Sequence, residues 1–183
     1  VIETDRLTVE SFRAEYAPAV LAYYVRNRRH LEQWEPAREE AFYTLVGQEL
    51  RIAQAVAEKE AGVAASFAAF EHGSEEITAI VNLSNIRRGV IHAGIIGYSV
   101  DAEKQGRGYA TEAAGAVVRY AFDALNLHRL ETSYHPANQR SGRVLRKLGF
   151  GVEGYARDHL FINGAWQDSI LVSLINSSWR SAR

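Results

Sequence analysis

Polar and apolar residues alternate in "TDRLTVESF", where Leu7 and Val9 interleave with Arg6, Thr8 and Glu10. That is the period of a half-buried strand. Pro18 suits a first helical turn, and the pattern after it predicts a helix through Asn27. "HLEQWEP" interrupts the pattern, because Pro36 pushes Glu35 toward extended geometry. A second helix is predicted over Thr44 to Glu60, stopping at Gly62. "VAASFAAF", "EITAIVNL" and "IHAGIIGYSV" read as three consecutive strands joined by the turns "HGS" and "RRG".

From Ala110 the apolar positions 110, 113, 114, 117, 118, 121 and 125 repeat with helical spacing. "HRLETSY" is a further strand and "ANQRSGRVLRKLGF" a further helix, with Asn138 as N-cap and Gly149 as a left-handed stop. "YARDHLFI" and "AWQDSILVSL" flank Asn163-Gly164, the signature of a two-residue hairpin turn. The order is strand, two helices, three strands, helix, strand, helix, two strands. It predicts an α+β domain spanning residues 1–183, built on one mostly antiparallel sheet.

Composition narrows the function classes. The chain is 47% apolar and 23% charged with a net charge of -1, which gives no electrostatic case for nucleic acid or an anionic membrane. "RNRRH" and "NIRRG" are short basic runs, read first as solvated surface; "NIRRG" could also meet an acidic peptide or a phosphate. With 0 Cys, disulfides, thiolate metal sites and a cysteine nucleophile are excluded. The 6 His show no HxH or HxxxH spacing, so no metal is expected. No apolar run reaches membrane-spanning length and "VIETDRL" is not a signal peptide, so cytoplasmic residence is expected. The sequence opens at Val1 with 0 Met, so the natural N-terminus is expected to lie outside it.

The stretch "DAEKQGRGYATEA" sets Gly106, Gly108 and Ala110 between a strand and a helix. Bare backbone at a helix N-terminus lets a phosphate approach unpaired N–H groups. It is not a P-loop, which needs Gly-Lys-Ser/Thr. A dinucleotide fingerprint would require glycine where Thr111 stands, and parallel strand–helix–strand flanks. By itself the junction reads first as a turn without a ligand.

"Q-x-x-G-x-A" at Gln105, Gly108 and Ala110 resembles the acetyl-CoA pyrophosphate loop of the GNAT N-acetyltransferases. Asn138 and Ser141 with "LRKLGF" resemble the second half of that family's cofactor site. "TDRL", "LEQWEP", "NLSNIRRG", "HAGIIGYSVD" and "EGYARDHLFINGAWQD" extend the likeness along nearly the whole chain, to the RimJ/RimL branch that acetylates ribosomal-protein N-termini.

The resemblance implies the GNAT fold, acetyl-CoA as cosubstrate, and the N-terminal amine of a ribosomal protein beginning with Ala as acceptor. It implies that Tyr98, Ser99 and Val100 meet the pantetheine arm through their backbone, whose N–H groups polarise the thioester. Gln105, Gly106, Arg107, Gly108, Tyr109 and Ala110 would hold the pyrophosphate, and Asn138 the pantetheine. Ser141 is the implied general acid; its other reading is a serine satisfying the first helical turn. Tyr134, ending the preceding strand, is a second candidate acid. Glu35 is the candidate base, Asp158 and His159 are weaker ones, and a base acting through water is a further option. The branch's glutamate in the penultimate strand is absent, since Leu160 follows His159. Trp34 is expected to wall an acceptor pocket, together with Tyr-rich segments such as "AYYVRN". Two other functions stay open: acetylation of a small amine or antibiotic, and a non-catalytic acyl-CoA-binding or ribosome-associated module.

Overall fold

The computed structural model describes residues 1–181. Its chain runs β1 (Ile2–Glu3), β2 (Leu7–Ser11), α1 (Ala17–Leu31), α2 (Leu45–Glu60), β3 (Ala65–Glu71), β4 (Ile77–Arg87) and β5 (Ala93–Val100). Then follow α3 (Tyr109–Arg119), β6 (Arg129–Tyr134), α4 (Gln139–Lys147), β7 (Gly151–Ile162) and β8 (Ala165–Ile175). The strands form one 8-stranded sheet in the order β1-β2-β3-β4-β5-β6-β8-β7.

Both faces of the central sheet are covered, which explains why β3 reads as a nearly unbroken apolar run. Phe67 and Ala69 pack with α3 and Leu145 of α4, while Ala68 and Phe70 pack with α1 and α2. The period-two alternation is therefore present, but it sorts apolar residues between two cores.

Local capping chemistry sets both ends of α2 and of α4. Thr44 Oγ1 accepts the Gly47 amide at the start of α2, and Gly62 follows its end at φ 71°. Asn138 Oδ1 accepts the Ser141 amide, and Gly149 follows α4 at φ 89°. The hairpin turn has Asn163 and Gly164 at φ 54° and 76°, as a type I′ turn requires.

Several boundaries differ from those read off the sequence. Helix α1 continues beyond Asn27 to Leu31, because Leu31 is buried on the face that carries Tyr24 and Asn27. β4 runs on past Leu83 to Arg87, and the short β1 pairs with β2. The helix after Gly108 ends in a π turn, with the Leu125 amide donating to the Tyr120 carbonyl.

One pairing matters most for function. β5 and β6 are parallel, with α3 as the crossover, and they pair only at Ala93–Arg129, Gly94–Leu130 and Ile95–Glu131. Beyond Ile95, β5 bonds to β4 alone; beyond Glu131, β6 bonds to β8 alone. The carboxyl ends of the two strands diverge and leave a wedge. The parallel flank that a dinucleotide loop requires is present, whereas the glycine it requires is replaced by Thr111.

Candidate active site

The wedge opens into a cavity of about 1140 Å³. Its walls are Gly97 to Val100 of β5, Thr132 to Tyr134 of β6, the first turns of α3 and α4, Trp34 and Glu35 after α1, and Gln167 to Ser169 of β8. A crevice at the carboxyl ends of parallel strands, facing helix N-termini, is where open sheets bind ligands.

The glycine junction forms one side. Gly106 and Gly108 lie at φ 76° and 88°, and Gly108 is the N-cap of α3 with no side chain capping it. The first N–H groups of α3 thus stay free for an anion, whereas Thr44 and Asn138 cap α2 and α4. A Cβ at Gly106 would meet nothing within 4 Å, so space for a phosphate exists there. Arg6 pins the loop from behind, donating to the Arg107 carbonyl at 2.9 Å and pairing with Glu112 at 2.5 Å. Tyr109 is buried with its hydroxyl on Glu71, 2.5 Å away. The Gln105 side chain accepts from Arg140 of α4 and meets His30 Nε2 of α1 at 2.6 Å, so its backbone is what it offers a phosphate.

The start of α4 forms the opposite side. Since Asn138 caps the helix, the Ser141 hydroxyl is released from that duty and lies 3.0 Å from the Tyr98 hydroxyl. Tyr98 also donates to the Ser141 carbonyl at 3.1 Å. Burial pushes the Tyr98 phenol up to about 12, so it stays protonated. Sequence reasoning gave Tyr98 a backbone role only; its side chain, 43 residues from Ser141 in sequence, was not foreseen. Tyr134 also lines the cavity, with its ring against Gly142, where a Cβ would come within 2.8 Å of Cε2.

Glu35 and Trp34 line the far end. Burial raises the Glu35 carboxyl above the usual carboxylate range, partly offset by Arg38 at 3.5 Å. The hairpin reaches over this end: Asn163 Nδ2 donates to the Glu32 carbonyl at 2.5 Å, and Leu160 and Ile162 line the cavity.

Other expected residues fall elsewhere. Tyr23 and Tyr24 of "AYYVRN" are buried in the core that α1 and α2 form against the sheet, and they do not line the cavity. Arg87 of "NIRRG" pairs with Glu131 at 2.5 Å and Arg88 donates to the Leu125 carbonyl, so both are spent on the fold. Asp158 and His159 are exposed outside the cavity wall. A bulge between Ala156 and Leu160, with Asp158 at φ 46°, lets the Asp158 amide donate to Asp168 at 2.9 Å.

That brings in residues the sequence reading missed. Asp168 lines the cavity, held below the usual carboxylate range by the Tyr155 hydroxyl and the Asp158 amide. Its signal was available: strand alternation puts it in one row with Ile170 and Val172, a carboxylate among apolar residues. His135 Nδ1 accepts the Ala137 amide, so its Nε2–H donates to Gln167 at 3.0 Å, and its ring lies 6.0 Å from Trp34. Nothing local marks Gln167. Among the described residues no cluster of His, Cys, Asp or Glu could hold a metal ion, and no helix is long and apolar enough to cross a membrane.

A split parallel pair, an uncapped helix end and a strand edge free beside them form a cleft that fits an extended ligand with an anionic group at the start of α3. The family model for the acetyltransferase (GNAT) domain matches residues 6–151, and the chain belongs to that family. It is 37% identical to the [ribosomal protein uS5]-alanine N-acetyltransferase of Escherichia coli K12, over 100% of this chain and 94% of the relative. The crystal structure of ribosomal-protein-S5-alanine acetyltransferase from Vibrio fischeri superposes with a TM-score of 0.94 at 40% identity, covering 98% of each chain. Mycobacterium smegmatis RimJ in complex with CoA-disulfide gives 0.88 at 27% identity, covering 96% of this chain and 85% of that one. The protein is an acetyl-CoA-dependent N-acetyltransferase of the RimJ/RimL type.

Proposed function

We propose that the protein transfers the acetyl group of acetyl-CoA to the N-terminal amine of a ribosomal protein beginning with Ala, by direct attack within a ternary complex. The observation that carries this reading is the continuity of the cavity from the free end of α3, past Ser141 and Tyr98, to Glu35 and Trp34. Donor and acceptor can both reach the diverging strands from its two ends. The full-length likeness to a uS5-alanine N-acetyltransferase supports the acceptor class.

Acetyl-CoA supplies the activated acyl group. The amides of residues 106–110 would hold its pyrophosphate, with Gln105 contributing backbone, and Asn138 would meet the pantetheine. The edge of β5 at Tyr98, Ser99 and Val100, unpaired toward β6, offers N–H groups that can pair with the pantetheine and polarise the thioester carbonyl. Glu35, with its raised proton affinity, is suited to accept the proton of the attacking amine near neutral pH. Ser141 gives a proton to the leaving thiolate and regains one from solvent once the cavity opens to products, while the Tyr98 phenol, still protonated, holds it in place. Tyr134 is the alternative donor. Absence of cysteine leaves direct transfer without a Cys-linked acyl-enzyme.

An N-terminal amine has a pKa of roughly 7.7–8 against about 10.4 for lysine, so its neutral fraction at neutral pH is a few hundred times larger. A single half-buried carboxylate is base enough for the first and weak for the second. The test uses two Ala-initiated peptides with one internal lysine, differing only in a free or blocked N-terminus. Acetylation of the free form alone is expected. Equal acetylation of both would refute the N-terminal reading and favour small amines, and no thiol release with any acceptor would favour a binding module.

A further inference from the structure

Tyr23 is 0% accessible, buried in the core that α1 and α2 form against the sheet. Its hydroxyl donates to Ser99 Oγ at 2.9 Å. That direction is enforced, because among the described residues no other acceptor serves Tyr23, and a reversed bond would strand its proton in an apolar core. Burial also raises the Tyr23 phenol, so it does not ionise. Ser99 lines the cavity and has no other partner among the described residues. A hydroxyl that accepts from behind has its own proton left to give. Ser99 therefore presents to the cavity a donor of fixed sense.

Alternation along β5 separates this donor from the acid side. Tyr98 reaches Ser141 on α4, whereas Ser99 reaches Tyr23 on α1, the helix that leads into Trp34 and Glu35. The donor thus lies on the side of β5 where the acceptor amine is drawn in the reading above. An amine about to attack offers Ser99 no acceptor, because its lone pair is committed to the thioester carbon. The carbonyl oxygen of the residue carrying that amine does offer one.

We propose that Ser99 is a specificity-determining residue that donates to the first carbonyl of the acceptor, with Tyr23 as its positioning residue. The site would thereby select amines followed by a peptide carbonyl and disfavour alkylamines and polyamines, which have none. This inference rests on the N-terminal reading of the acceptor.

The test pairs an Ala-initiated peptide with its analogue in which a trans-alkene replaces the first peptide bond, assayed by thiol release with wild type, Ser99→Ala and Tyr23→Phe. The analogue's altered amine basicity affects all three enzymes alike, so the comparison of ratios isolates the contact. In wild type the peptide-to-analogue ratio of kcat/KM should exceed that of Ser99→Ala by about threefold to tenfold, the worth of one neutral hydrogen bond. Tyr23→Phe, which frees the serine to rotate, should fall between them. Each ratio is taken within one enzyme, so partial unfolding of a variant cancels. Equal ratios in all three, with wild type active on the peptide, would overturn this inference alone. Wild type inactive on the peptide would overturn the N-terminal reading and this inference with it.

Discussion

Ser141→Ala separates catalysis from helix capping, because the structure divides those duties between neighbouring residues. The substitution removes one oxygen, 3.0 Å from the Tyr98 hydroxyl. Tyr98 keeps the Ser141 carbonyl at 3.1 Å, so no buried hydroxyl is orphaned. Asn138 still accepts the amide of residue 141 at 3.1 Å, so α4 keeps its cap. The stability loss is then that of one replaceable hydrogen bond, at most about 1 kcal/mol. In a chain of this size that lowers Tm by about 2–4 °C. The loss of a general acid is larger, roughly a hundredfold to ten-thousandfold in kcat, or about 2.7–5.4 kcal/mol of barrier. KM for acetyl-CoA should change little. The assay is steady-state thiol release with an Ala-initiated peptide, beside a thermal melt. Asn138→Ala serves as the counterpart, expected to cost about 1 kcal/mol of stability through its lost cap. A Ser141→Ala enzyme with intact kcat would refute the assignment and turn attention to Tyr134.

Two further outcomes follow from the same geometry. Gly108→Val should weaken CoA binding strongly in a calorimetric titration, by obstructing the amides at the start of α3. It should also cost stability, because φ is 88° and a Cβ would stand 3.3 Å from Arg6 Nη2; unchanged affinity would remove the loop from the site. Burial of Glu35 raises its proton affinity, so the acid limb of kcat/KM should lie above the ordinary carboxylate range and vanish in Glu35→Gln together with most of the rate. The linked stability has the opposite sense: wild type is favoured below the unfolded carboxyl pKa and loses that contribution as pH rises through the folded one, which a pH series of melts against Glu35→Gln would detect.

Features written within a few residues of one another were legible in the chain alone. The caps at Thr44 and Asn138, the stops at Gly62 and Gly149, the Asn163-Gly164 turn and the bare junction at Gly106 and Gly108 all depend on local backbone geometry and adjacent side chains. The order of strands and helices followed from them, and the family's motifs marked where a cofactor would lie. Sheet order and strand divergence were beyond such signals. Nothing in "IHAGIIGYSV" or "HRLETSY" states that their strands pair in parallel at three residues and then part. That parting makes the cavity, and it brings Ser141 to Tyr98 across 43 residues and Ser99 to Tyr23 across 76. Asp168 and Gln167 entered the site for the same reason, since β8 pairs with β6 although β7 and α4 lie between them in the chain. Local rules act through neighbours along the backbone, whereas contacts across the wedge exist only once the whole sheet has closed and both faces are buried.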